Sequence, residues 1–422
     1  MKKIPKKKQT AFEKHIEKKK INRNKKVSQN NKQKKEKFEK KKEDIKIENK
    51  QKEIKNNKLE DFKIKDLIRN IFNAKEARRQ LLFLRIDYKN ISPDINDEIF
   101  KKCCEKLQKI DEIINSKTIN HKNKKDKFFT LSKEYYKIIP HIFPLSDYNS
   151  FLINDLDKIK REICLLELIK SFFELENTFF KIKNYKEEND LNSLNDSINL
   201  SVNNLENLPE QGHHPKISDA FFKRALSEFN FTFSYIEPKT FEYKQIEQFM
   251  NLYSSKNNGP FPPLELLDLF RINKENEKFD KRTFKKKHLF WYGCEIVHFY
   301  SILKNNLRLP FKYAPKNAFS YGKGILISDN VYGQIQKCLP KNGIAYLFVC
   351  SADKLENSKK VHVHHRNYPE HLPPQYNSVM IVDNIKFSLN EESTDYFHSY
   401  NFIFYDPELI KLEYIAKLKL PN

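Results

Sequence analysis

Apolar positions recur every three or four residues from Leu67 to about Phe180, and strand-like runs dominate from Phe229 onward. Leu67, Ile68, Ile71 and Phe72 start the first register, and Leu81, Leu82 and Phe83 continue it. Phe100, Cys103, Cys104 and Leu107 form a second stripe that runs on through Ile110, Ile113 and Ile114. A third helix is predicted from Phe128 to Ile139, where Pro140 stops it, and a long fourth from Ile153 to Phe180. In the fourth, Leu156, Ile159, Ile163, Leu166, Ile169, Phe172 and Leu175 keep helical spacing. From Phe229 the period changes to two: Phe229, Phe231, Phe233 and Tyr235 alternate with Asn230, Thr232 and Ser234. A helix is expected over Phe241–Leu252. Strands are expected at Leu264–Ile272, Leu289–Tyr292, Ile325–Ser328, Ala345–Cys350, Ser378–Val382, Asn401–Tyr405 and Glu413–Leu420. The pattern predicts an α+β protein, with an all-α bundle followed by a mixed, mostly antiparallel sheet.

Residues 1–58 carry neither period, and their sparse apolar residues cannot cover a core. They hold 24 Lys/Arg against 8 Asp/Glu, which places +16 of the chain's +23 in about one seventh of its length. Such a tail favours polyanions, nucleic acid first, through counterion release and without reading base sequence. Lys6–Lys8 and Lys40–Lys42 have the composition of nuclear import signals. No apolar run reaches the roughly 18 residues of a membrane span, and no apolar segment follows the first lysines to make a secretory leader. The six cysteines lack metal or disulfide spacing and read as reduced thiols. His362, His364, His365 and His371 cluster in a proline-rich stretch that reads as an exposed loop, and no metal site is expected. The expected layout is a tail over 1–58, a helical domain over 59–205, a linker over 206–227 and a second domain over 228–422.

Glycine is rare, and six of the seven lie between Gly259 and Gly343. Trp291-Tyr292-Gly293 and Tyr321-Gly322-Lys323-Gly324-Ile325 stand out among them. With Leu307-Arg308-Leu309-Pro310, with Phe402-Ile403-Phe404-Tyr405-Asp406, and with Asp66–Phe72 and Thr130–His141 upstream, these segments resemble the poly(ADP-ribose) polymerase family of the DNA-dependent type. The resemblance implies a helical regulatory domain, an ADP-ribosyltransferase domain, NAD as the substrate and proteins as acceptors. It also implies a nuclear setting and work in DNA repair. Family zinc fingers and the Trp-Gly-Arg domain are not seen in this sequence.

The resemblance assigns three catalytic positions, and all three depart from the family's His, Tyr and Glu. Tyr292 stands for the His that grips ribose, Leu326 for the Tyr that stacks on nicotinamide, and Asn401 for the Glu that polarises the 2′-hydroxyl. Nucleotide contacts would come from Gly293, Cys294, Arg308, Tyr321, Gly322, Gln334 and Lys337. The Gly293 backbone is expected to pair with the nicotinamide carboxamide. Gln334 takes the place of a Ser that contacts it, and Lys337 replaces a second stacking Tyr with a cation that repels the nicotinamide ring. Replacement candidates are Tyr321 for stacking and Glu391, Glu392 or Asp395 for the carboxylate. These substitutions predict that polymer synthesis is lost and transfer is weak or absent. The alternatives are a non-catalytic nucleic-acid-binding scaffold and a cleft that binds ADP-ribose without cleaving it.

Overall fold

The computed structural model describes residues 58–92, 95–143, 151–184, 218–229, 231–257, 259–274, 288–319, 321–352, 355, 358–362, 376, 378–390 and 393–421. The chain divides into two compact units, Met1–Phe62 and Lys63–Asn422. Of the first, only residues 58–62 are described, and they are helical. The tail therefore lies outside the described residues, as do the polar break after Asn184 and His364, His365 and His371.

The larger unit begins with helical residues 63–71 (α1), then α2 Ala74–Phe83, α3 Asp97–Asn115, α4 His121–Ile138 and α5 Leu156–Asn184. Asparagine, common along the chain, starts three of these helices. The side chains of Asn73, Asn96 and Asn120 accept from the first free amides of α2, α3 and α4. Capping by Asn120 starts α4 two turns before its first buried apolar residue, Phe128, which is why the apolar pattern alone places that start too late. Leu67, Ile68, Ile71 and Phe72 are buried, whereas Phe83, on the same predicted stripe, is 77% exposed at the end of α2. Leu165, Leu166, Leu168, Ile169 and Phe172 of α5 are all buried, so this helix is enclosed on several sides at the centre of the bundle.

Next comes α6, Asp219–Ser227, within the span expected as a linker. Ser218 caps it, and Phe221, Phe222 and Ala225 are buried. The remaining elements are β1 Phe231–Tyr235, α7 Phe241–Met250, β2 Glu265–Lys274, β3 Leu289–Gly293, α8 Val297–Asn305, β4 Ile325–Ser328, α9 Val331–Ile335, β5 Ile344–Ala352, β6 Ser358–His362, β7 Ser378–Asn390, β8 Ser393–Phe404 and β9 Ile410–Lys419. They build one nine-stranded sheet in the order β1-β2-β9-β5-β3-β4-β8-β7-β6. Every pairing is antiparallel except β6 with β7. The expected fold class is the one observed.

Alternation along the strands sorts the core onto two faces. Phe290, Phe348, Ile415, Ile325 and Phe402 join the helical residues in one continuous cluster. Trp291, Leu347, Val349 and Ala416 pack on the other face with Ile246 of α7 and Val331 and Ile335 of α9. Helix α5 is tied to α8 by Thr178 Oγ1 to Tyr300 Oη at 2.7 Å and Ser171 Oγ to His298 Nδ1 at 2.8 Å. Among the described residues no helix is long and apolar enough to cross a membrane.

Candidate functional site

The sheet is weakest between β3 and β4. Five residues of β3 are in register with β5, but only Trp291 pairs with β4, opposite Ser328. Ser328 in turn faces Asn401 of β8. Adjacent strands thus carry the three positions singled out in the sequence, Tyr292 on β3, Leu326 on β4 and Asn401 on β8. Trp291 holds this seam from one face. It is fully buried, and Phe249 of α7 lies parallel to it at 5.2 Å and 6°.

The side chains of these positions go to different surroundings. Tyr292 packs against the main core. Burial holds its phenol well above the usual pKa, aided by Cys294, Glu167, Cys350 and Glu295, so it stays a neutral hydroxyl. Leu326 joins Tyr321 and Tyr405 on the small cluster of Val379, Ile381 and Ile403. Tyr321, a candidate for stacking, is held there by its carbonyl, which accepts from the Tyr405 hydroxyl. Arg308 leaves the seam for α5, where Nη1 meets Glu174 Oε1 at 3.1 Å.

Glycines mark close approaches of the chain to itself. Gly322 has φ +85°, in the left-handed region that side chains disfavour. A Cβ on Gly293 would lie 2.1 Å from the carbonyl oxygen of Gln334, so α9 rests directly on the end of β3. The Gly293 N–H donates to Gln334 Oε1 at 3.2 Å, and Lys337 Nζ donates to the same oxygen at 3.1 Å. The backbone donor expected to meet a ligand carboxamide is therefore occupied from within. Lys337 is exposed as a residue, yet desolvation around its ammonium lowers its pKa, with Cys338, Cys294, Cys164 and Glu295 opposing. Burial pushes the neighbouring Cys294 thiol up, and Cys338 to about 12, so both are protonated.

A second set of polar groups carried no motif in the sequence. Glu167 and Ser171 stand one turn apart on α5 and meet Glu295 and His298 at the start of α8. His298 Nε2 lies 3.4 Å from Glu295 Oε2. Burial raises Glu167 from the usual carboxylate value, with His298 opposing. Burial also acts upward on Glu295, but the His298 hydrogen bond and charge outweigh it and leave its pKa lowered. Polar residues one helical turn apart within an apolar stripe were the only available signal. Asp329, the acidic residue next to Ser328, has both oxygens engaged: Oδ1 accepts from Tyr400 N at 2.9 Å and Oδ2 from Tyr253 Oη at 2.7 Å. Asp395 lies on β8 six residues from Asn401, about 20 Å away along a strand. The side chains of Glu391, Glu392 and Asp395 lie outside the described residues. Among the described residues no cluster of His, Cys, Asp and Glu is arranged to hold a metal.

Family profiles match two spans of this chain. The poly(ADP-ribose) polymerase catalytic domain matches residues 240–420, and the poly(ADP-ribose) polymerase regulatory domain matches 57–197. The chain belongs to the poly(ADP-ribose) polymerase family. It is 22% identical over 281 residues to poly [ADP-ribose] polymerase 1 of Gallus gallus, covering 65% of this chain and 24% of that protein. It is 21% identical over 377 residues to poly [ADP-ribose] polymerase of Sarcophaga peregrina, covering 84% of this chain and 34% of the relative. Poly [ADP-ribose] polymerase 2-B of Oryza sativa subsp. japonica is 22% identical over 202 residues, covering 47% and 28%. The chain thus spans about a quarter to a third of the length of these poly(ADP-ribose) polymerases. The family's catalytic domain uses NAD as substrate. The described residues around Gly293 do not fit the nicotinamide end of NAD, because Gln334 holds the amide donor and the Lys337 cation stands beside it.

Proposed function

We propose that this poly(ADP-ribose) polymerase-family protein works in the nucleus as a non-polymerising member, with transfer of ADP-ribose weak or absent. The observation that supports this most is Asn401 in register with Ser328, at the place where the family resemblance calls for a carboxylate. Breaking the nicotinamide–ribose bond builds positive charge on the ribose, which a fixed anion would stabilise. An amide supplies dipole but no charge, and Asp329 is already committed to Tyr253 and the Tyr400 amide. Tyr292 stays neutral in the core, and Leu326 offers no ring to stack on nicotinamide. Incubating the full chain with labelled NAD, with and without broken DNA, tests this reading. No labelled acceptor is expected, and polymer or efficient auto-labelling would overturn it.

A scaffold role is the second reading, favoured by the +16 charge of residues 1–58. In it the tail docks on nucleic acid and the folded unit presents a surface to proteins. Deleting residues 1–58 then removes most salt-sensitive nucleic-acid affinity. Affinity that survives the deletion moves the binding surface onto the folded unit.

A further inference from the structure

We propose that Gln334 is a built-in carboxamide that fills the place of a nicotinamide-type ligand against Gly293, and that Lys337 fastens it there. This rests on the reading of the β3–β4 seam as the family's NAD cleft. Gln334 is 2% exposed, and its amide oxygen takes two donors at once, the Gly293 N–H at 3.2 Å and Lys337 Nζ at 3.1 Å. A primary carboxamide ligand seeking that N–H would present the same oxygen to the same donor. The chain supplies its own copy of the ligand's polar group.

The helix carrying Gln334 is anchored independently. Asn330 caps α9 by accepting from Tyr332 N at 3.0 Å, and its own N–H donates to Ser328 Oγ at 3.1 Å. Val331 and Ile335 bury the other side of α9 beside Trp291. On the near side the Gln334 main chain touches Gly293: a Cβ there would lie 2.1 Å from the carbonyl oxygen and 3.1 Å from Gln334 Cβ. A planar ring therefore finds no space between the Gly293 Cα and the α9 backbone. It has to displace the Gln334 side chain to reach the N–H.

Displacement exchanges one carboxamide for another and gains no new type of bond. The tethered group has the advantage, because its effective concentration at the donor is at least about millimolar. A free ligand must exceed that to compete. The Lys337 ammonium adds charge repulsion against a nicotinamide ring that is cationic in NAD, and none against neutral nicotinamide or benzamide.

The test is calorimetric titration of the full chain with benzamide, nicotinamide and NAD, alongside Trp291 fluorescence. The wild type is expected to show no saturable binding of benzamide below millimolar concentration. Gln334→Ala frees the N–H and is expected to bind benzamide at least tenfold more tightly than the wild type. Gln334→Glu keeps an acceptor oxygen and adds a charge that pairs with Lys337, so it is expected to stay closed. Lys337→Met in the Gln334→Ala background is expected to tighten NAD more than benzamide. Sub-millimolar benzamide binding by the wild type overturns the proposal, and so does equal binding by the Ala and Glu variants. If Gln334→Ala does not fold, exchange of the Gly293 amide in the wild type decides: protection supports the plug, and exchange at the rate of an exposed amide overturns it. A wild type that binds benzamide but labels no acceptor sinks the plug and leaves the reading of weak or absent transfer standing. Labelled acceptor without benzamide binding does the reverse.

Discussion

Removing the carboxylate of Glu242 tests how α7 is held to the sheet, and through Phe249 how Trp291 is seated. Glu242 lies in the first turn of α7 and is 3% exposed. Its Oε1 accepts from Arg271 Nε at 2.7 Å and from Tyr414 Oη at 2.5 Å, while Oε2 meets Arg271 Nη2. One residue thereby joins α7 to β2 and β9. Glu242→Ala leaves a guanidinium whose side chain is 24% exposed and a Tyr414 hydroxyl with almost no access to water. Removing the carboxylate of a buried ion pair costs about 3–5 kcal/mol, and the partial exposure of Arg271 places this case near 3. The Tyr414 phenol loses its carboxylate acceptor, which adds roughly 1 kcal/mol. At a urea dependence of about 3 kcal/mol per molar, the loss lowers the unfolding midpoint by about 1 M. Trp291 is the chain's single tryptophan, so its fluorescence follows this region directly. Adding Arg271→Met removes the guanidinium charge as well, and the double variant should recover roughly 1–3 kcal/mol over Glu242→Ala. A midpoint shift near zero for Glu242→Ala would refute the reasoning, as would a double variant less stable than the single one.

Three further perturbations address the seam and its supports. Burial raises the Asp329 pKa, with the Tyr253 and Tyr400 hydrogen bonds opposing. Its stabilising contribution is full below the unfolded value of about 3.9 and is lost as pH rises through the raised folded value. Asp329→Asn should therefore gain on the wild type in urea midpoint from about pH 4 upward, and a gap that shrinks with pH refutes this. Gly322→Ala places a side chain at φ +85° with its Cβ 3.1 Å from the Tyr405 ring, at a cost of roughly 1–2 kcal/mol measured by denaturant unfolding. The triple reversion Tyr292→His, Leu326→Tyr, Asn401→Glu should leave acceptors unlabelled until Gln334→Ser and Lys337→Tyr are added. Labelling by the triple variant alone shows that Gln334 and Lys337 are no barrier.

Periodicity made the order and type of the long elements legible, most simply in α3, which buries one regular set of apolar residues. It failed where polar side chains set the boundary. The start of α4 is fixed by the Asn120 cap, not by an apolar residue. Strands β7 and β8 run far beyond the predicted Ser378–Val382 and Asn401–Tyr405, through Asp383, Asn384 and Lys386, because they pair with each other along a long hairpin. Helix α8 was hidden because Val297–Asn305 is mostly buried and shows little alternation with polar residues. In the site, the strands that carry Tyr292, Leu326 and Asn401 were legible as short apolar runs, and the resemblance singled out these positions on them. The meeting of Glu167 and Ser171 with Glu295 and His298 was not legible, since it joins residues more than 120 positions apart.

The motif glycines were legible for one reason and are kept, among the described contacts, for another. A glycine in a nucleotide-binding motif suggests that a ligand comes close. Here the atoms that would meet the added Cβ belong to the chain: Gln334 at Gly293, Tyr405 at Gly322, and Ile403 at Gly324. Gly293 and Gln334 account for each other. Without a Cβ, α9 settles onto the end of β3, and from there the Gln334 amide reaches the N–H that the glycine exposes. Packing alone is enough to forbid a side chain at Gly293. Its retention is therefore evidence for the fold and no evidence that the cleft still takes NAD.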